Sequence, residues 1–425
     1  MQASIHHFRG SCRLCGGKNL DLVLPFTSIP IGEHYSSVQI PENDNRFPID
    51  IYQCCDCNAV QTQDEISTDY LWREYTYFSG QTRGIIKHFG QFSEWIDESY
   101  QWPTNKKAFD IGSNDGTLLK FLSQHNFDIF GIDPSSTVVE AALEDNIPTF
   151  LGLFNDKIVD QFPESTQKAD LITAFNVFAH SEDMIGMIRG VKKMLNPDGL
   201  FCFEVQYLGD IAEKKLLGTF FHEHMVHYSA ISAKNFLEVH GLKIIDYKRN
   251  NIQMGSIIFV CCHVESSRNI SSKVDHLLKQ EQDLGLNSNR WAQQFLSYME
   301  EQRFNLQSLK ASEGISRATL AAYGAARSGP TFAIQYGLEN CISHIYDDHP
   351  MKCNKFGAFE GLYVKSTEEL LADKPKIIVI LAWLHSKAII NNHLEYLKIG
   401  GKFLILWPRV QLVTYDNFEH VLQTL

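Results

Sequence analysis

The sequence has no apolar run approaching the roughly 20 residues that cross a bilayer, which excludes a membrane-spanning helix. It also lacks a dense Lys/Arg stretch. With 38 basic against 50 acidic residues the formal net charge is −12, and a general nucleic-acid binder would need a basic stripe instead. The opening stretch Met1–Arg9 lacks the apolar centre of a signal peptide, so residence in the cytoplasm is the expectation. No internal repeat or low-complexity tract stands out, and the ten cysteines are not spread as a disulfide framework would be. What is present is length. A chain of 425 residues with 44% hydrophobic side chains has material for two or three cores.

Four of the cysteines form two pairs, Cys12-Arg-Leu-Cys15 and Cys54-Cys-Asp-Cys57. Two such knuckles supply four thiolates for tetrahedral zinc, a closed structural site with no open position for chemistry. Cys55 is passed over because only Cys54 gives the two-residue spacing. The gap between the knuckles is longer than in a compact ribbon, so a disulfide or free thiols are the alternative. Residues 1–70 are expected to form this zinc-binding domain. Beyond them, Tyr75 and Tyr77 sit in an aromatic cluster that reads as packing, followed by a helix from about Arg83 to Trp95.

The stretch Lys107–Leu122 reads as a buried strand, a glycine-bearing turn and the start of a helix. Gly112 and Gly116 let the backbone pass close to a ligand, and Asn114 between them tolerates positive φ. Roughly 20 residues on, a second strand ends in Asp133, where a carboxylate can accept hydrogen bonds from both ribose hydroxyls of a nucleoside. The turn lacks the G-x-G-x-x-G spacing, and its acidic Asp110 and Asp115 suit a ligand carrying a cation rather than a pyrophosphate. The sulfonium of S-adenosylmethionine fits that description, and an ordinary strand-to-helix turn is the bland alternative.

From about 105 to 264 strands alternate with helices, with strands near 107–111, 128–132, 169–174, 200–205, 242–247 and 256–263. This is the pattern of a doubly wound α/β sheet, whose ligands sit beyond the C-terminal strand ends. That rule gathers Asp110–Gly116, Asp133, Asn176–His180 and Glu204–Tyr207 around one crevice, within a cofactor domain spanning 71–265. Residues 266–315 have helical spacing and polar faces, as a connector would. A second α/β domain follows over 316–425, opening with a strand and the turn Gly324–Gly329, where Arg327 and backbone N–H groups suit a phosphate or simply make a tight turn.

The run Gly218-Thr-Phe-Phe-His-Glu-His-Met-Val-His-Tyr-Ser229 is the least ordinary. It is not a zincin helix, since Val226 stands where H-E-x-x-H requires histidine. Three readings are open: a metal site built from His222, His224 and His227, hydrogen-bonded structural histidines, or acid/base work.

Taken in order, the four cysteines, Tyr75-Thr-Tyr-Phe-Ser, Asp110-Ile-Gly-Ser-Asn-Asp-Gly, Asn176-Val-Phe-Ala-His180, Glu204-Val-Gln-Tyr-Leu, His222-Glu-His224, Ala322-Tyr-Gly-Ala-Ala and Leu381-Ala-Trp383 resemble the bacterial deoxysugar C-methyltransferases. These enzymes use S-adenosylmethionine to methylate C3 of nucleotide-linked 4-keto-6-deoxy sugars. The resemblance covers about residues 12 to 410. It implies a zinc-binding N-terminal domain, a central Rossmann-like methyltransferase sheet, and a C-terminal α/β domain that helps hold the nucleotide sugar. It also implies His224 as candidate base, with His180 beside the sugar and Tyr77 lining the site. Tyr75, Tyr207, Tyr323, Arg327 and Asp347 are the candidates for holding the substrate, and Asn176 joins the cofactor set. The chain departs from the pattern at Phe221, where the family usually has tyrosine, and at Leu384, where it commonly has asparagine.

A sugar carbon becomes nucleophilic only when a neighbouring ketone makes its hydrogen acidic, so a base must take the C3 proton and donors must stabilise the enolate. The expected assignment is His224 as base, His222, His180 and Tyr77 polarising the ketone, and Glu223 orienting a histidine. The expected partner is the nucleotide-sugar substrate, with no nucleic acid and no membrane. Rival readings are a nucleotide-sugar oxidoreductase or epimerase, a non-catalytic sugar-nucleotide binding module, and an O- or N-methyltransferase.

Overall fold

The computed structural model describes residues 5–32, 34–39, 46–71, 78–357 and 361–425, apart from the side chains at 68, 69 and 165. Tyr75 and Tyr77 lie outside the described residues.

The near-continuous apolar runs of the middle region become the strands of one sheet, buried on both faces at its centre. They are β1 (Lys107–Ile111), β2 (Asp128–Asp133), β3 (Thr149–Leu151), β4 (Ala169–Phe175), β5 (Leu195–Gln206), β6 (Leu242–Asn250) and β7 (Ser256–His263), in the order β3-β2-β1-β4-β5-β7-β6. The first five run parallel, and β7 pairs antiparallel with both β5 and β6. Alternation along the strands divides the core. Phe109, Ile172, Phe201 and Phe203 pack on one face with Met187 and Ile188, while Ala108, Leu171, Leu200 and Cys202 pack on the other with Leu118 and Leu122. Helix α1 (Arg83–Ser99) joins this second layer through Ile85, Phe89, Phe92 and Ile96, a spacing that keeps all four on one side. It runs a turn beyond the expected end. Strand β3 was not expected: three residues between turns carry too little alternation to be read.

The N-terminal strands Leu20–Leu24, Ile51–Cys54 and Val60–Thr62 pair antiparallel, and their sheet is completed from the histidine run. Val226 pairs with Gln61 and His227 with Val60, so the cysteine knuckles and the histidines share one sheet. The connector forms α2 (Ser272–Leu284) and α3 (Arg290–Glu313). Trp291 of α3 is fully buried and donates Nε1 to Gln53 Oε1 at 3.1 Å, tying the connector to the N-terminal strands.

The C-terminal sheet holds β8 (Leu320–Tyr323), β9 (Ile342–Asp347), β10 (Val364–Ser366), β11 (Ile377–Ile380), β12 (Lys402–Ile405) and β13 (Gln411–Val413), in the order β10-β9-β8-β11-β12-β13. Strand order therefore reverses between β1 and β4 in one sheet and between β8 and β11 in the other. Such switch points leave a crevice beyond the strand ends.

Candidate active site

One cavity of about 1140 Å³ touches both switch points. Its walls include Asp110, Gly112, Asn114, Asp133 and Asn176 from the central sheet, and Ala326, Arg327, Ser328, Trp383 and His385 from the C-terminal one.

On the central side, Gly112 adopts φ 69° and donates its N–H to the carbonyl of Ile132 at 2.8 Å. A Cβ there would lie 2.3 Å from Val177 Cγ2, so glycine is required twice over. Asn114 follows with φ 50°. Asp133 accepts the Asn114 N–H on Oδ2 at 3.0 Å and the Ser135 N–H on Oδ1 at 2.9 Å. Each carboxylate oxygen keeps a further acceptor position, which is what a ribose diol needs. Burial raises the carboxyls of Asp133 and Asp110, the latter to about 7 even though it accepts the Thr173 hydroxyl at 2.6 Å. Two carboxyls made reluctant to ionise by burial favour a cationic ligand that restores the charge. The cradle fits S-adenosylmethionine.

The histidine run lies along the same cavity. His224 places Nδ1 2.7 Å from the carbonyl of Thr219, and His180 places Nδ1 2.5 Å from the carbonyl of Glu223. A carbonyl only accepts, so both Nδ1 atoms carry the proton, and on a neutral ring the Nε2 of His224 is then unprotonated. The two rings lie 5.1 Å apart, and the Phe221 ring packs 3.9 Å from that of His224. Burial pushes His180 down to about 4 and His227 to about 3, and holds His224 well below the usual imidazole range. All three are neutral near pH 7.

The four cysteines meet as the spacing predicts. Their Sγ atoms lie within 4.8 Å of one another, with Cys12 to Cys57 at 3.5 Å and Cys15 to Cys54 at 3.6 Å. Thiolates about 2.3 Å from a tetrahedral zinc would be roughly 3.8 Å apart, so the set fits zinc. Gln61 Nε2 donates to Cys12 Sγ at 3.1 Å, and the Leu14 and Gly17 N–H groups donate to Cys12 and Cys15. Among the described residues these four cysteines are the group whose ligand atoms gather for a metal, and His222, His224 and His227 do not gather in that way.

Known families follow this architecture in order. Residues 12–72 match a zinc binding domain, 89–247 a methyltransferase domain, and 251–408 a C-methyltransferase C-terminal domain. Over 408 residues the chain is 26% identical to the C-methyltransferase NovU of Streptomyces niveus, covering 96% of this chain and 97% of that protein. These matches support an S-adenosylmethionine-dependent methyltransferase with a zinc-binding N-terminal domain. A ubiquinone biosynthesis O-methyltransferase of Actinobacillus pleuropneumoniae is 23% identical over 116 residues, 26% of this chain and half of that one. Among solved structures, the magnesium protoporphyrin IX methyltransferase ChlM of Synechocystis aligns with a TM-score of 0.34 at 19% identity, covering 42% of this chain and 84% of that one.

Several of the expected site residues stand elsewhere. His222 and Glu223 occupy the corner of a turn closed by the His224 N–H on the Phe221 carbonyl at 2.9 Å, which reverses the alternation expected of an extended run. His222 therefore leaves the cavity wall and places Nε2 3.3 Å from the Phe47 carbonyl. Glu223 orients His180 through its main-chain carbonyl, while its carboxylate lies 3.6 Å from Arg327 Nε. Asp115 is spent on structure: it accepts the Gly80 N–H at 2.8 Å and the Thr117 hydroxyl at 2.6 Å, and Gly116 starts the following helix at φ 74°. Tyr207 is buried away from the cavity with its hydroxyl donating to Glu281 at 2.9 Å. Tyr323 meets His393, and Asp347 accepts the Ala325 and His349 N–H groups; neither lines the cavity. The residue the acid/base reading passed over is His227, which does line it. Its pairing with Val60 sets that orientation, and no local signal in the sequence announces a partner so far away.

Proposed function

We propose that the protein is a C-methyltransferase acting on C3 of a nucleotide-linked 4-keto-6-deoxy sugar, with His224 as the base that generates the 4-enolate. The observation that carries the reading is the hydrogen bond from His224 Nδ1 to Thr219, which leaves Nε2 bare on an imidazole that lines the same cavity as Asp110 and Asp133. When bound, S-adenosylmethionine supplies an electrophilic methyl group. Asp133 binds its ribose and Asp110 faces its cationic end. His224 takes the C3 proton on Nε2, and the low-dielectric wall formed with Phe221 keeps that nitrogen unprotonated beforehand. His180, whose Nδ1 is committed to the Glu223 carbonyl, lies beside His224 along the same cavity. The guanidinium of Arg327, always charged and lining the same cavity, supplies positive charge for the enolate or the diphosphate.

The test combines a panel of 4-keto-6-deoxyhexose nucleotides with labelled S-adenosylmethionine. One member should gain about fourteen daltons and lose its C3 proton signal. In D2O with S-adenosylhomocysteine in place of the donor, the same proton should exchange, because enolisation does not need the methyl. Methylation on oxygen or nitrogen, or turnover without C3 exchange, would sink the proposal.

A further inference from the structure

Of the four imidazoles that line the cavity, the three on the central side, His180, His224 and His227, differ in what their N–H groups do. Those of His224 and His180 are committed to main-chain carbonyls. His227 is 2% exposed, and its Nε2 meets no hydrogen-bond partner among the described residues. Next to it stands Gln206. Tyr207 and Tyr228 form a parallel bridge, which sets the preceding residues, Gln206 and His227, side by side on the opposite face from the tyrosines. The tyrosine hydroxyls point into the core, to Glu281 and to Met184, whereas Gln206 and His227 both line the cavity. Gln206 has an orphan too: its Oε1 is enclosed and finds no donor among the described residues. Adjacent unpaired polar atoms in a buried wall each cost free energy, and native proteins keep them where something else completes them.

We infer that Gln206 and His227 form the subsite that holds one hydroxyl group of the acceptor. A neutral imidazole always has one N–H, and here it is not spent on the main chain among the described residues. The Gln206 carbonyl oxygen is an acceptor. A hydroxyl accepts from the first while donating to the second, which neither a ketone nor a phosphate can do. Burial keeps His227 neutral, which suits an uncharged partner. The subsite rests on the reading of the acceptor as a hydroxyl-bearing sugar, and it assigns these two residues to orientation of the ring rather than to proton transfer.

The test measures full-length His227→Phe, Gln206→Leu and the double variant with the same panel of 4-keto-6-deoxyhexose nucleotides. Each single change should raise the acceptor KM about tenfold, the effect of one lost neutral hydrogen bond, and leave kcat within about threefold. The S-adenosylmethionine Kd, by calorimetry, should not move. The double variant should lose less than the product of the singles, because both residues hold one group. His227→Gln, which keeps an N–H, should recover part of the loss, and panel members lacking the recognised hydroxyl should not distinguish wild type from variants. Unchanged KM in Gln206→Leu and His227→Phe, with wild type turning over, overturns the subsite alone. If wild type turns over no panel member, the proposed reaction fails and the subsite falls with it. Should His227→Phe fail to fold by thermal melt, Gln206→Leu decides.

Discussion

At the end of β1, Gly112 holds φ 69° and gives its N–H to Ile132, the residue before Asp133; at the end of β8, Gly324 holds φ 93° and gives its N–H to Tyr346, the residue before Asp347. Each aspartate accepts two backbone N–H groups, one from the glycine turn and one from two residues further along its own chain. These are Asn114 and Ser135 for Asp133, at 3.0 and 2.9 Å, and Ala325 and His349 for Asp347, at 2.7 and 2.8 Å. The two cradles are built alike, yet Asp133 lines the cavity and Asp347 does not. What differs is the chain packed on top. Tyr35 donates its hydroxyl to the Ala325 carbonyl at 2.7 Å, Lys352 does the same at 2.8 Å, and the strand Tyr35–Ser36 pairs with Phe356–Gly357. A turn fixes how a carboxylate is held, while the segment above it decides whether a ligand can arrive.

The chemistry should follow the open cradle. His224→Gln should lower kcat by about 10²–10⁴, the usual loss on removing a base, while the S-adenosylmethionine Kd stays within about twofold. Single-turnover rates and calorimetry read the two quantities separately, and equal losses in both would show that residue 224 shapes the cradle rather than acting as base. Next in size, Asp133→Ala should weaken S-adenosylmethionine binding by about 10- to 100-fold, as hydrogen bonds to a charged acceptor are worth roughly 1.5–3 kcal/mol. Asp347→Ala should leave that Kd alone and lower the melting temperature instead, since two N–H groups lose their acceptor. If both substitutions weaken the cofactor equally, the two cradles are not distinguished by access.

The cover on the second cradle can be probed directly. A Cβ on Gly32 would stand 2.2 Å from the main-chain oxygen of Arg327, which cannot swing aside as a side chain would. Gly32→Ala should therefore cost about 1–3 kcal/mol, visible as a drop in the denaturant midpoint at unchanged slope. Gly84→Ala, with nothing within 4 Å of the added carbon, is the control and should be neutral or mildly stabilising.

Much of the scaffold was legible because its signals are local. The apolar runs of β1, β2 and β4, the glycines beside them and the two cysteine knuckles each announce themselves within a few residues. The parts that were not legible depend on distant pairing. Val226–His227 is a two-residue strand whose partner, Gln61, lies in the N-terminal sheet, so nothing near residue 227 tells that its ring joins the cavity. The turn at Phe221–His224 turns His222 out, against the simple expectation that residues two apart share a face. Asp115 misled for a similar reason: an acidic residue in a cofactor turn reads as a ligand until its partners, Gly80 and Thr117, are seen to use both its oxygens.

The smallest expected effect concerns Asp110, which has no counterpart in the covered cradle: Ala322 pairs where β8 would place it, and only the central sheet puts a carboxyl inside the wall. Burial first, and then the charge of Asp133, raise this carboxyl to about 7. Below that pH the cofactor-free protein holds a proton on Asp110, and a cationic ligand favours the ionised form, so binding must release the proton. S-adenosylmethionine affinity should therefore rise as pH increases from about 5 to 7 and level off above, by at most about tenfold per pH unit. The stability of the cofactor-free protein should move the other way. The folded state binds this proton more tightly than the unfolded chain, whose aspartate titrates near 3.9, so the contribution is full at low pH and is lost as pH climbs through about 7. Titration calorimetry in two buffers of different ionisation enthalpy measures the proton release. Asp110→Asn should abolish the slope, and S-adenosylhomocysteine, lacking the sulfonium charge, should show a shallower one. An equally steep slope for both ligands would mean that the carboxyl does not sense the cation.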